Sequence, residues 1–417
     1  MSLSSIENTP LFTHEEFVFK AQHKPPVRRS RLVDEDIDAK YVRENVKIVK
    51  MAMRYPLPDI VGMIETGDYK LNTEWRRRHQ WNRVTQSRLI ESLIVNVPVS
   101  PIILYQGELG KYEVIDGIQR MTAIYEFYKG QLILKGLEEW PELDGHTYFQ
   151  LPLHIKKDFD RSYLPALIVL PESVKSQEYA KRFKQLVFKF VLHRHNSGDV
   201  EIKAQKYRHV IYNGPLNNLC LKLARNPYLC KTWNIPEPTP EEFASIKAVP
   251  EVLFHNDAYR NMDDIDLVLR FFAFRQRHKH PEESPENYLD NFLNYGNRLP
   301  KDVLNQLEEL FNQTIKLVYD VFGDKSFCLW VFKDGTWQAR PSKAVYDSMM
   351  YVFSQHLEDA ETLLQHRHEF QTRMRTFYEK NFEHFETQSL TDMSIMTKRN
   401  KLIEEFVTSI IGSKYEK

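Results

Sequence analysis

Arg120 and Asp116 lie four residues apart across a glycine, in the stretch Tyr112-Glu113-Val114-Ile115-Asp116-Gly117-Ile118-Gln119-Arg120-Met121-Thr122. A guanidinium is a planar fork suited to phosphate. A nearby carboxylate can hold a metal ion or orient a water. The elements that must position them are readable from the same residues. Tyr112 to Ile115 are mostly β-branched or aromatic and read as a strand. Asp116-Gly117 is a turn pair. From Gln119 the spacing is helical: Met121, Ile124, Tyr125 and Tyr128 share a face, and Lys129-Gly130 closes the run. A strand, a glycine turn and a helix start leave unpaired N–H groups and the positive end of a dipole facing any anion placed there. Pattern alone leaves a second reading open, in which Asp116 merely caps the helix and Arg120 is solvated.

The flanking sequence supplies more elements. Asp36 to Arg54 has helical spacing (Ile37, Tyr41, Val46, Ile48, Val49), ended by Pro56 and Pro58. Leu57 to Thr66 predicts a short helix and Leu71 to Trp75 a short strand. Trp75-Arg76-Arg77-Arg78-His79-Gln80-Trp81 combines charge with stacking faces, the means to hold a base and its phosphates; the alternative is an exposed arginine run with both tryptophans packed inward. Thr85 to Asn96 predicts a helix with Thr85 as N-cap and Leu89, Ile90, Leu93 and Ile94 as its apolar stripe. Pro98 and Pro101 lead into the strand Ile102–Tyr105, and Leu164 to Leu170 is a further buried strand. Gln177 to Arg194 and Asp199 to Tyr212 read as helices, with Gly214 ending the latter and Pro215 opening the next. The result is an α+β nucleus.

From residue 216 the sequence turns almost wholly helical, with amphipathic runs at 216–224, 263–278, 301–322, 342–357, 361–382 and 392–411. No period of 20–50 residues repeats, so this half is a helical domain and not a solenoid. Residues 1–35, with Pro25-Pro26 and Arg28-Arg29-Ser30-Arg31, read as a weakly structured arm or a strap over its neighbour. The organisation expected is thus an arm (1–35), an α+β domain (36–215) and a helical domain (216–417). Arg275, Arg277, His278, Lys279 and His280 form a basic helix end, suited to DNA phosphates or to capping carbonyls. Lys+Arg and Asp+Glu both number 57, which argues against a bulk polyanion coat. The three cysteines form neither a metal pair nor a disulfide framework, and no signal peptide or apolar span of about 18 residues is present. A cytoplasmic protein without a membrane partner is the expectation.

The order of motifs carries a resemblance. Trp75-x-Arg77-x-x-x-Trp81, then Gln86 to Leu93, then Pro98-x-x-Pro101-Ile102, then Asp116-Gly117-x-Gln119-Arg120-x-Thr122 resembles the N-terminal domain of the GmrSD type IV restriction enzymes. Leu132 to Leu137, Leu143-Asp144-Gly145 and Leu151-Pro152 are similar to the family's connecting stretch. Phe188 through Asn196-Ser197-Gly198 to Arg208 is similar to its second signature. The resemblance implies a ParB/sulfiredoxin-like fold and a nucleoside-triphosphate site. Asp116, Gln119 and Arg120 would be catalytic, and Arg77, Gly117, Thr122, Asn196, Gly198 and Arg208 would bind nucleotide, with Mg²⁺ held at Asp116. It also implies antiviral defence in a prokaryote, with DNA, a partner nuclease or a second copy as possible partners. The chain departs from the pattern in four places: Ile118 replaces the hallmark's first Gln, Asp199 a glycine, Lys206 a Glu, and His79 an aromatic. Ile118 bears on hydrolysis more than on binding.

Three functions follow from these residues: a Mg²⁺-dependent nucleoside-triphosphatase, a nucleotide-switched module that binds DNA or protein without hydrolysis, and a scaffold with a degenerate pocket. Among motifs, the chain has no Walker phosphate loop, no HExxH, no CxxC and no GxSxG. The tetrad His193-Arg194-His195-Asn196 does not make an HNH nuclease site, since adjacent residues cannot supply separated strand and helix ligands. Sulfiredoxin chemistry is excluded because it needs a cysteine at the phosphate turn and none precedes Cys220.

Overall fold

The computed structural model describes residues 10–16, 48–71, 78, 81–108, 110–171, 183–184, 186–188, 208–209, 211–243, 250–279, 283–386 and 393–412. The chain divides into two units: Ala21–Lys203, and Met1–Lys20 together with Ala204–Lys417. The expected helix over 36–47, strand over 72–75 and arm around Arg28–Arg31 lie outside the described residues.

The first unit is built on a mixed sheet of five strands: β1 (Ile48–Pro56), β2 (Tyr69–Lys70), β3 (Ile102–Glu108), β4 (Lys111–Asp116) and β5 (Tyr163–Pro171), in the order β1-β5-β3-β4-β2. β3 runs antiparallel to β4 and parallel to β5. The described helices among them are α1 (Asp59–Glu65), α2 (Arg83–Ile94), α3 (Ile118–Tyr128) and α4 (Leu153–Arg161). β3 and β5 are rich in Ile, Leu and Val because both their faces are covered. Ile102, Leu104, Leu164, Ala166 and Ile168 join the apolar faces of the helices in one core. Tyr105 meets Phe183 and Phe188, at 6.3 and 6.5 Å between ring centres.

Two local expectations are corrected here. Ile48 to Pro56 is a strand and not the end of a helix, because nine residues pair antiparallel with β5. The cap of α2 is Asn82 and not Thr85; Asn82 Oδ1 accepts the Thr85 N–H at 2.8 Å. The apolar stripe of α2 packs as expected. Its other stripe is polar, buried and used. Glu91 accepts the N–H groups of Glu138, Glu139 and Trp140 at 3.1, 2.8 and 2.9 Å, and Ser87 Oγ accepts that of Lys135 at 3.0 Å. The segment after α3 is thereby pinned to α2.

The second unit is helical: α5 (Pro215–Leu223), α6 (Pro227–Thr232), α7 (Asp263–Phe274), α8 (Pro285–Gly296), α9 (Lys301–Phe322), α10 (Lys343–Phe353), α11 (Ala360–Gln365), α12 (Arg367–Glu386) and α13 (Met393–Ile411), with shorter turns between. α7 is buried along almost its whole length. Its charges are therefore paired internally: Asp266 with Lys343 at 2.8 Å, and Arg270 with Asp347 through two hydrogen bonds. A hairpin interrupts the helices, β6 (Trp330–Val331) against β7 (Thr336–Trp337), turned at Asp334-Gly335. The expected single helix over 361–382 is two, α11 and α12, separated at His366. The α+β class expected from the sequence is what the two units show.

Three cations of the basic helix end are engaged within the unit. Arg275 is buried, with Nη1 donating to Glu15 at 2.6 Å and Nη2 to Pro10 O at 2.8 Å. Lys279 pairs with Glu16. Arg277 donates to Glu283 O and lies over the Tyr288 ring. An acidic N-terminal segment thus takes up charge that the sequence displayed as a patch.

Candidate functional site

β4 delivers Asp116 to the end of the sheet, where it pairs with Ile103. Gly117 follows at φ +98°, a left-handed conformation that disfavours a side chain. Space demands glycine as well: a Cβ there would stand 2.3 Å from Ile102 Cγ2. α3 starts at Ile118, and its first internal bond runs from the Met121 N–H to Gly117 O at 3.0 Å. The N–H groups before it have no acceptor within the helix.

Asp116 is not the cap of this helix, and Arg120 is not solvated. Arg120 Nη2 donates to Asp116 Oδ2 at 2.8 Å and to Pro101 O at 3.3 Å, and the guanidinium is mostly buried. Gln119 Oε1 accepts the Trp81 N–H at 3.2 Å. The sequence pointed to Trp81 for its stacking face and to Pro101 as a turn. Their contribution to this site is backbone, which residue type does not reveal.

Three donors in this turn and a half of helix have nothing to bond among the described residues. Gln119 Nε2, Arg120 Nε and Thr122 Oγ1 are all buried and without a hydrogen-bond partner. Thr122 is only 2 % exposed. Buried polar atoms are normally satisfied, so orphaned donors on three side chains of one helix start leave room for an acceptor. An anion supplies acceptors, and it would also meet the free backbone N–H groups and the helix dipole. Among the described residues no group of three or more His, Cys, Asp or Glu side chains could hold a metal ion. Mg²⁺ needs no such group when phosphates and waters complete its shell, and Asp116 Oδ1 makes no hydrogen bond among the described residues.

The departure at Ile118 has a physical reading. Its side chain is 4 % exposed and belongs to the core cluster. The residue there is selected by packing in this chain.

Of the nine expected site residues, the fold brings Asp116, Gly117, Gln119, Arg120 and Thr122 together on one turn. Arg208 belongs to the helical unit, 1 % exposed, with Nε donating to Asp290 at 2.7 Å and Nη1 lying 3.5 Å from Asp266. Arg77, Asn196 and Gly198 lie outside the described residues, as does the rest of the Trp75–Trp81 run except Arg78, which is buried, and Trp81, which packs against the core.

Residues 57–404 match the family described as GmrSD restriction endonuclease, N-terminal domain. No curated protein and no solved structure matches the chain.

Proposed function

The chain belongs to the GmrSD restriction endonuclease N-terminal domain family, and from that premise we propose that the start of α3 binds the phosphates of a nucleoside triphosphate and promotes its hydrolysis with Mg²⁺. The observation that carries this reading is the cluster of orphaned donors on Gln119, Arg120 and Thr122, on a helix start that only a glycine can form. Asp116 would hold the Mg²⁺, which would supply neutralisation of phosphate charge. Arg120 keeps Nε without a partner and Nη1 without a hydrogen bond among the described residues; its charge would stabilise that developing on the transferred phosphoryl group. Gln119, fixed through Oε1 to Trp81, would orient the attacking water with Nε2. Arg77, Asn196 and Gly198 enter the pocket by resemblance alone. Arg208 is a structural cation in this reading, since carboxylates already hold it. The nucleotide step would serve a DNA-restricting system inside a prokaryotic cell, with cleavage supplied by another module, partner or copy.

Binding and hydrolysis of ATP, GTP, CTP and UTP with Mg²⁺ test this, alongside Asp116→Ala and Arg120→Ala. The parent chain should turn over at least one of them, and Arg120→Ala should lower kcat by about 10²–10³-fold. Saturable binding without turnover would make the site a switch. Neither binding nor turnover, with or without DNA, would overturn the proposal.

A further inference from the structure

The helical unit contains a cavity of about 180 Å³, between the end of α9 and the turn after it, the β6–β7 hairpin and the middle of α12. A cavity of about 150 Å³ accepts one benzene ring, so this one has room for one planar ring system. Its walls match that content. Phe322, Trp337 and Tyr378 line it, the last two edge to face with ring centres 6.1 Å apart. Two cations line it as well. Neither Lys325 nor Arg375 makes an ion pair among the described residues; Arg375 instead lies over the Trp330 ring at 4.9 Å.

The polar atoms narrow the ligand. Tyr378 is 0 % exposed and its hydroxyl has no partner. Gln371 Nε2 donates to Val321 O at 2.7 Å, which leaves its Oε1 as an acceptor. A plain apolar ring would leave the Gln371 acceptor and the two cations unused. A nucleobase edge offers both donors and acceptors. Aromatic walls hold a base by stacking, and paired cations outside hold a phosphate.

We propose that this cavity binds a nucleoside phosphate, with the base against Trp337 and Tyr378 and the phosphate on Lys325 and Arg375. The ligand could arrive as a free mononucleotide or as an unstacked nucleotide of a single strand; the chemistry is shared. This site is independent of the one at α3.

The test uses the full chain carrying Arg120→Ala, which weakens the site at α3, and reads the α12 site through its own variants. AMP, GMP, CMP, UMP and a short oligothymidylate are titrated by calorimetry, with inorganic phosphate as competitor. At least one nucleotide probe should bind saturably. Trp337→Ala and Arg375→Glu should each weaken it at least tenfold, while neither changes nucleoside-triphosphate turnover in the chain with Arg120 intact. Binding of the mononucleotide identifies a free ligand; binding of the oligonucleotide alone identifies a strand. Arg375 is exposed, so its variant keeps the test valid if Trp337→Ala fails to fold. Binding that ignores Arg375→Glu, no binding by any probe, or displacement by phosphate as effective as by nucleotide would overturn the proposal.

Discussion

At the residue scale, the site rests on atoms that lack partners, and this gives a test in which two explanations predict opposite signs. Thr122→Val removes a buried hydroxyl that bonds nothing and keeps the shape. In the free protein the change should be neutral or stabilising, by up to about 1 kcal/mol, because an unsatisfied polar group disappears. Nucleotide affinity should fall, because the ligand loses a donor. Urea unfolding and titration with nucleotide check the two halves. A variant that loses stability and keeps affinity would make Thr122 structural. Residue types announced much of this site: a carboxylate, a glycine and an arginine at one turn. What they did not announce is backbone, because the Trp81 N–H and the Pro101 carbonyl hold Gln119 and Arg120 irrespective of the side chains at those positions. The sequence also raised Ile118 as a lost polar group, whereas the fold spends that position on the core.

At the scale of elements, legibility followed the locality of the cause. α2, α3, α5 and α9 sit where spacing and punctuation put them, because amphipathic periodicity is written within each helix. β1 was misread because its cause is β5, more than a hundred positions away, and Ile48 and Val49 fit a helical period as well as a strand. The β6–β7 hairpin has a local cause: Asp334-Gly335 between Trp330-Val331 and Thr336-Trp337 is a strong short-range turn signal. The buried polar stripe of α2 belongs to neither case. Glu91 terminates three backbone N–H groups of the chain after α3, so it acts as a cap for a loop that is remote in sequence. Glu91→Ala should destabilise the first unit by about 1.5–3 kcal/mol, the scale for a hydrogen bond to a charged group. Hydrogen exchange at residues 138–140 should accelerate with it. Unchanged exchange there would mean that other acceptors hold the loop.

At the scale of the whole molecule, equal numbers of acids and bases hide an internal arrangement. Charges that read as surface features are paired within the helical unit: Arg275 with Glu15, Arg208 with Asp290, Arg225 with Glu242. Sequence cannot show this, since each pair joins residues far apart. The pairing makes stability depend on pH, with a sign that can be worked out. His356 links Asp359 to Glu404 on α13 at 3.0 Å each. The hydrogen bond to Glu404, helped by Asp359 and opposed by burial, raises its pKa above 6.5. Its protonated form is the one the fold favours. That contribution is complete below 6.5 and is lost as pH rises through the raised folded value. Asp266 limits the other end. Burial pushes its pKa up, but Lys343, Arg270 and Arg208 outweigh it and hold the group at about 2, below the ordinary 3.8. Its contribution is complete above 3.8 and is lost as pH falls toward 2. Between these limits both groups contribute fully. Urea midpoints for the second unit should therefore decline from pH 6 to 8, and His356→Gln should start lower and flatten that decline. An unchanged slope in the variant would assign the loss to another group and remove His356 as the link between the turn after α10 and α13.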